Sequence, residues 1–274
     1  MKKTLFATLV TAMAFAVNAT AQISVGVGYA NETIISKEAA VLKNDYKGYS
    51  WDKTKQQLNG FYVEAAYDWA FASVGAGDLI LQPGVRYYCL TNKSNYAKAN
   101  IKYTADDGKK VHVKSNEFTR ISNHLIDIPL NVKYAYDFIP GTLSGYVFAG
   151  PSFSFGIAAN YVKSEKGEAS YDGETEKYGE ILRYNGYNGK FKLKTYNEET
   201  KKYDVEKNQS DEYRTYDMFD LKLALGLGVT IMENIDIKFG YNIGLLNRSF
   251  IKEVDDTKFS AHSNIMYFGV AYNF

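Results

Sequence analysis

Cysteine is almost missing from this chain. The 274 residues include one, Cys89, so no internal disulfide can staple the fold. Proline is scarce at four residues. After the N-terminus, no stretch approaches the 18 consecutive apolar residues of a spanning helix. No charge excess exists either: 32 basic residues stand against 31 acidic ones. That balance gives no electrostatic ground for nucleic acid binding. Metal-ligand spacings, phosphate loops and dinucleotide fingerprints are absent, so no cofactor is expected. The "GVG" at 26–28 and the "GLG" at 226–228 read as strand glycines that give facing side chains room.

These absences leave a membrane location open. A transmembrane strand needs only about 9–11 residues, with every second one apolar. The composition favours sheet: 24 tyrosines, 16 phenylalanines and 22 glycines. The N-terminus reads as a secretory signal peptide over residues 1–21. Lys2 and Lys3 precede an apolar run from Thr4 to Val17, followed by Ala19-Thr20-Ala21. Cleavage is expected after Ala21, leaving 22–274 as one β-barrel domain. Loss of two lysines then leaves 30 basic against 31 acidic residues, a net charge of −1.

Beyond that point, eight segments alternate with period two. They are "ISVGVGYA", "GFYVEAAYDW", "LILQPGVRYYC", "HLIDIPLNVKYAYDF", "GYVFAGPSFSFGI", "FDLKLALGLGVTI", "IDIKFGYNIGL" and "MYFGVAYNF". In the sixth, Phe219, Leu221, Leu223, Leu225, Leu227 and Val229 face one way, opposite Asp220, Lys222, Ala224, Gly226, Gly228 and Thr230. Strict alternation spoils the i, i+3, i+4, i+7 face of a helix. Long polar connections follow the first, third, fifth and seventh segments, and short ones follow the second, fourth and sixth. "IPGTLSG" at 139–145 and "MEN" at 232–234 are turn sequences. The alternation of short and long connections predicts an up-and-down meander.

One face of each segment carries large apolar residues. The other is mostly Gly, Ala and Ser, with about one charge per strand. Small residues with sparse charge suit a cramped interior, and unbroken Leu, Ile, Phe and Val suit lipid. The charges in the small-residue row balance: Glu64, Asp127, Asp220 and Asp236 against Arg86, Lys133, Lys222 and Lys238. Buried charges must be paired, so these eight are expected to form an interior ion-pair network that plugs the barrel. The fold class is therefore all-β: an eight-stranded antiparallel up-and-down transmembrane β-barrel with long extracellular loops. Tyr67, Trp69, Tyr134, Tyr136, Tyr272 and Phe274 cluster at the short-turn end, where an interfacial girdle is expected. Phe274, an outward aromatic at the end of the last strand, is similar to the C-terminal signal of outer-membrane barrels.

Four segments carry a family resemblance. "LIDIPLNVKY" resembles the E/D-I-P-L-x-x-K-Y strand of the PorT-like outer-membrane β-barrel proteins. "LQPGVRYY", "YVFAGPSFSF" and "FDLKLALGLGV" resemble that family's third, fifth and sixth strands. The resemblance runs in order from Gln22 to Phe274, and residues 160–214 are long for the family. It implies an eight-stranded barrel of the bacterial outer membrane, in a family mostly without assigned function. One namesake takes part in protein secretion across that membrane, and no motif here carries the role over.

The expected surroundings are outer-membrane lipid and lipopolysaccharide. The expected role is structural, or surface interaction through long Tyr-rich loops; an accessory part of a secretion system is the alternative. A rim-active lipid-modifying enzyme is a further alternative. It would draw on His112, His124 and His262, with Ser122 and Ser263 nearby, but the sequence supplies no orienting acid. The chain is read as no enzyme. "KFKLKTY" and "KKYDVEK" alternate inside the longest connection and predict hairpins that extend the barrel wall. Asp106-Asp107 and Asp255-Asp256 read as solvated loop charges within reach of a divalent cation.

Overall fold

The computed structural model describes residues 21–40, 54–105, 107–254 and 257–274. Residues 1–20, most of the expected signal peptide, lie outside the described residues, as do Asp106 and the Asp255-Asp256 pair. Twelve strands follow in order: β1 Ala21–Ala40, β2 Thr54–Val74, β3 Gly77–Thr104, β4 Lys110–Ile139, β5 Leu143–Tyr171, β6 Glu174–Asn185, β7 Lys190–Asn197, β8 Lys202–Gln209, β9 Phe219–Ile231, β10 Ile235–Gly244, β11 Glu253–Val254 and β12 Thr257–Asn273. Among the described residues, no helix is long and apolar enough to cross a membrane.

Eight of these strands close a ring. β1 pairs with β2, β2 with β3, β3 with β4 and β4 with β5. β5 then pairs with β9, β9 with β10, β10 with β12, and β12 returns to β1. Every pairing is antiparallel. Closure removes the sheet edges that would leave backbone N–H and C=O groups unpaired in lipid.

Tight turns sit at one end, between β2 and β3, β4 and β5, and β9 and β10. In the last, Met232 and Glu233 both take positive φ, at 51° and 63°. That is the conformation a short hairpin turn demands, and non-glycine residues meet it at some steric cost. Outward aromatics ring this end. Trp69 lies beside Phe71, Tyr136 beside Phe138, and Tyr272 beside Phe274, with centroids 6.5, 5.4 and 4.9 Å apart. They are placed as an interfacial girdle.

The two faces divide as the alternation predicts. Val147 is 57% exposed and Leu227 56%, whereas Asp127, Asp220 and Lys222 are 0% exposed. The large apolar residues therefore make the outer wall, and the charged and small residues fill the lumen. Inward glycines make room for inward rings. A Cβ on Gly28 would meet the Tyr62 ring, one on Gly269 the Tyr62 hydroxyl, and one on Gly240 would meet Tyr267.

The strands outrun the alternating segments. β3 runs on to Thr104, β4 starts at Lys110 and β5 reaches Tyr171, so much of the expected loop sequence is strand. Polar residues continue the ladder there because pairing is a backbone property. β6 adds to β5, β7 to β6 and β8 to β7. The result is a six-stranded sheet that carries the wall past the barrel rim. The "KFKLKTY" and "KKYDVEK" stretches form its outermost hairpin, β7–β8.

The outer wall generates a prediction. Leu225→Arg, at the middle of β9, should destabilise the barrel in liposomes by about 2–4 kcal/mol, as for a cation at the bilayer midplane. Val205→Arg, exposed on β8 beyond the rim, should stay within about 0.5 kcal/mol. Urea unfolding followed by tryptophan fluorescence measures both; equal effects would contradict the assigned wall.

Candidate functional site: the polar lumen and the projecting sheet

The strand register brings inward charges to the middle of the lumen. Glu64 on β2 lies directly opposite Arg86 on β3. The Arg86 guanidinium donates to Glu64 Oε2 from Nε at 2.9 Å and from a terminal nitrogen at 2.7 Å. Lys238 on β10 reaches Glu64 Oε1 from across the barrel. One carboxylate thus serves two cations. The guanidinium also sits 4.0 Å from the Tyr267 ring centroid and 5.2 Å from that of Tyr62, and donates to the Tyr88 hydroxyl at 3.0 Å. A desolvated cation over aromatic faces gains roughly 2 kcal/mol or more.

The other expected pairings come out differently. Lys133 binds Asp68 at 2.6 Å, and Gln82 donates to the same carboxylate at 2.6 Å. Asp236 accepts from the Tyr146 hydroxyl at 2.7 Å and from Thr230 at 3.0 Å. Asp127 lies 4.0 Å from the Lys222 ammonium and accepts from Asn242 at 3.1 Å. Asp220 accepts a long bond, 3.4 Å, from the Leu246 backbone N–H. All eight expected residues are buried in the lumen. They do not close four-against-four, because Glu64 takes two cations while neutral hydroxyls and amides serve Asp236 and Asp220.

A second cluster lies towards the long-loop end. Glu32 on β1 accepts from Ser263 at 2.6 Å and from Asn123 at 2.7 Å, with Arg248 at 3.9 Å. Arg248 donates to the Tyr187 hydroxyl at 2.7 Å, which donates to Asn123 at 2.8 Å. Tyr187 comes from the β6–β7 connection and Arg248 from the segment after β10, so external connections fold inward over the lumen. Sequence reasoning missed Glu32, Tyr187 and Arg248, because each lies outside the eight alternating segments. Asp68 was legible on the inward face, but its charge went uncounted.

The histidines stay apart from this machinery. The His124 ring bonds the Tyr87 hydroxyl at 2.7 Å, and His112 bonds Asn100 at 2.7 Å. His262 and Ser263, adjacent in sequence, point to opposite faces of β12, and Ser263 is the one bound to Glu32. Among the described residues, no three His, Cys, Asp or Glu side chains gather as a metal site.

The projecting sheet separates charge by face. On β6, Lys177 and Arg183 alternate with Glu174, Glu176 and Glu180. On β7, Lys190, Lys192 and Lys194 share one face, opposite Phe191 and Leu193. The register places Lys192 beside Arg183 and Lys207. Asp204 and Glu206 of β8 fall on the acidic side, with Lys202 as the exception among the cations of β6–β8. The parity carried from β4, where Ile121 points inward and Arg120 outward, joins the basic face to the outer wall.

A family model described as "Outer membrane protein beta-barrel domain" matches residues 18–249. The chain belongs to that family. The family places it in the bacterial outer membrane, in keeping with the closed ring and the apolar outer wall. No curated protein matches the chain. Among solved structures, the attachment invasion locus protein Ail of Yersinia pestis is 12% identical, with 92% of this chain and 98% of that chain covered and a TM-score of 0.27. Neisserial surface protein A is 12% identical over 90% and 97%, with a TM-score of 0.26. The outer membrane protease OmpT of Escherichia coli is 11% identical over 95% and 99%, with a TM-score of 0.28. Likeness at this level leaves the family model as the ground of the assignment.

Glu64 provides the sharpest test of the lumen. Glu64→Gln leaves Arg86 and Lys238 buried without their counter-charge, so stability should fall by about 3–5 kcal/mol. Asp236→Asn, where the partners are hydroxyls, should cost about 1–3 kcal/mol. Urea midpoints in liposomes report both, and a smaller loss for Glu64→Gln than for Asp236→Asn would contradict the hub.

Proposed function

We propose that this outer-membrane barrel is a non-conducting anchor whose working part is the projecting sheet, acting in interactions at the cell surface. One observation carries the reading: fully buried side chains occupy the lumen while the wall continues outward as strands β3 to β8. Tyr62, Tyr88, Asp127, Lys222 and Asn242, from β2, β3, β4, β9 and β10, are each 0% exposed. A lumen filled in this way favours a plug over a pore. The interior ion pairs belong to the same proposal. They hold opposite walls together and are not a reactive centre. Outside, Tyr178, Tyr196 and Tyr203 stand on the sheet as rigid amphipathic contact surface.

The four strand motifs that resemble the PorT-like proteins favour a second reading, an accessory part of an outer-membrane secretion system. That reading also uses an anchored barrel with a large external sheet, but it requires cargo export to depend on the chain.

Removal of Lys190–Gln209 separates the two. The flanking residues already meet, since the Ser210 N–H donates to the Gly189 carbonyl at 3.0 Å. The shortened barrel should keep heat-modifiable gel mobility, while cell attachment and autoaggregation fall several-fold and cargo secretion stays normal. Unchanged attachment together with a block in cargo export would overturn the surface reading in favour of the secretion one.

A further inference from the structure

We propose that the basic outer face of the projecting sheet docks onto phosphorylated glycolipid headgroups of the outer leaflet in which the barrel itself sits. The proposal rests on the membrane-anchored reading above and adds the ligand class and the site.

The argument starts from sidedness. Charges on a solvated sheet have no reason to sort by face. Here Arg183, Lys190 and Lys192 share one face, and the glutamates of β6 take the other. The basic face is the one continuous with the lipid-facing wall. On β5, Phe153, Phe155 and Ile157 face lipid, and Ile157 is 47% exposed. Past a bulge opposite His124, Val162 lies on the same outer side and pairs with Arg183. Val162 lies five residue steps beyond Ile157, about 16 Å of strand at the usual rise. Strand tilt shortens the height gained. The cluster therefore stands just above the apolar wall, at the level of a sugar headgroup, and not at the far tip of the sheet.

The local chemistry fits a phosphorylated sugar. Arg183, Lys190 and Lys192 line an open depression of about 400 Å³ together with Asn160 and Asn185. Desolvation first, and then the Lys194, Lys207 and Arg183 cations, pulls the Lys192 ammonium below its ordinary range. A cluster of like charges held this way is relieved by an anion. Further up the same face, a second depression of about 390 Å³ is bordered by Lys166 and Lys177 and flanked by Tyr196 and Tyr203; there Glu168 already holds Lys114 at 2.7 Å, so the free cations concentrate lower down, at Arg183, Lys190 and Lys192. Arginine and lysine supply donors to phosphate oxygens, and tyrosine rings offer flat surface to sugar rings. Cations at the rim of a membrane protein draw anionic lipid when they lie within a Debye length of the surface.

The test uses the full-length protein purified in detergent and loaded with bis-phosphorylated lipid A. Native mass spectrometry counts the lipid A retained. The wild type should retain it, and the Arg183→Gln, Lys190→Gln, Lys192→Gln triple variant should retain about tenfold less. A Glu174→Gln, Glu176→Gln variant on the opposite face should match the wild type. Raising salt from 50 to 500 mM should release the lipid from the wild type, which tests the same contact without mutation. Equal retention by wild type and triple variant would overturn the proposal. So would equal retention of dephosphorylated lipid A, or displacement of lipid A by soluble dextran sulfate at equal charge concentration. Heat-modifiable mobility is recorded on every sample. Its loss in the wild type would instead count against the barrel reading on which the site rests.

Discussion

One buried carboxylate organises the interior of this barrel. Glu64 holds the guanidinium of Arg86 and the ammonium of Lys238, and the guanidinium in turn lies among the Tyr62, Tyr88 and Tyr267 rings. An unpaired charge in that space carries a penalty of several kcal/mol. The three charges therefore fix the register of β2 against β3 and bring β10 to the same level from the far wall. The inward glycines are a consequence: the Tyr62 and Tyr267 side chains fit only where Gly28, Gly269 and Gly240 leave the wall without a Cβ.

The barrel itself was legible from alternation. A large apolar residue at every second position, facing a row of Gly, Ala and Ser, has few solutions other than lipid outside and a tight lumen inside. "HLIDIPLNVKYAYDF" shows why the reading inverts the habit for soluble proteins. Ile128, Leu130 and Val132 face out, and Asp127, Asn131 and Lys133 are buried. The partners of those charges were less legible. Which cation meets which acid depends on strand stagger around the ring, and that stagger is invisible to a single-strand pattern. Lys133 was thus free to choose Asp68, a residue of the same inward row two strands away.

The upper half of the molecule was the hardest to read. Glu32, Tyr187 and Arg248 sit beyond the apolar alternation, and for Tyr187 and Arg248 no strand pattern marks an interior position. Tyr187 and Arg248 turn inward because loop residues close the lumen from above, a tertiary fact with no local signature, whereas Glu32 continues the inward row of β1 past the end of its apolar alternation. The strands beyond the rim are similar. On β6 the alternation is one of sign, basic outward and acidic inward; on β7 lysines face outward opposite Phe191 and Leu193, and on β8 Asp204 and Glu206 face inward with Lys202 beside them. Electrostatic sorting does there what hydrophobic sorting does within the membrane. The wall so changes its language at the rim without changing its parity.

The sealed lumen is the claim on which the rest of the account stands, and planar-bilayer recording addresses it most directly. Purified full-length protein should insert and show no discrete conductance steps across ±100 mV. Glu64→Gln, by freeing Arg86 and Lys238 from their shared partner, should introduce flickering leak. Stable ohmic steps from the wild-type protein would contradict the account.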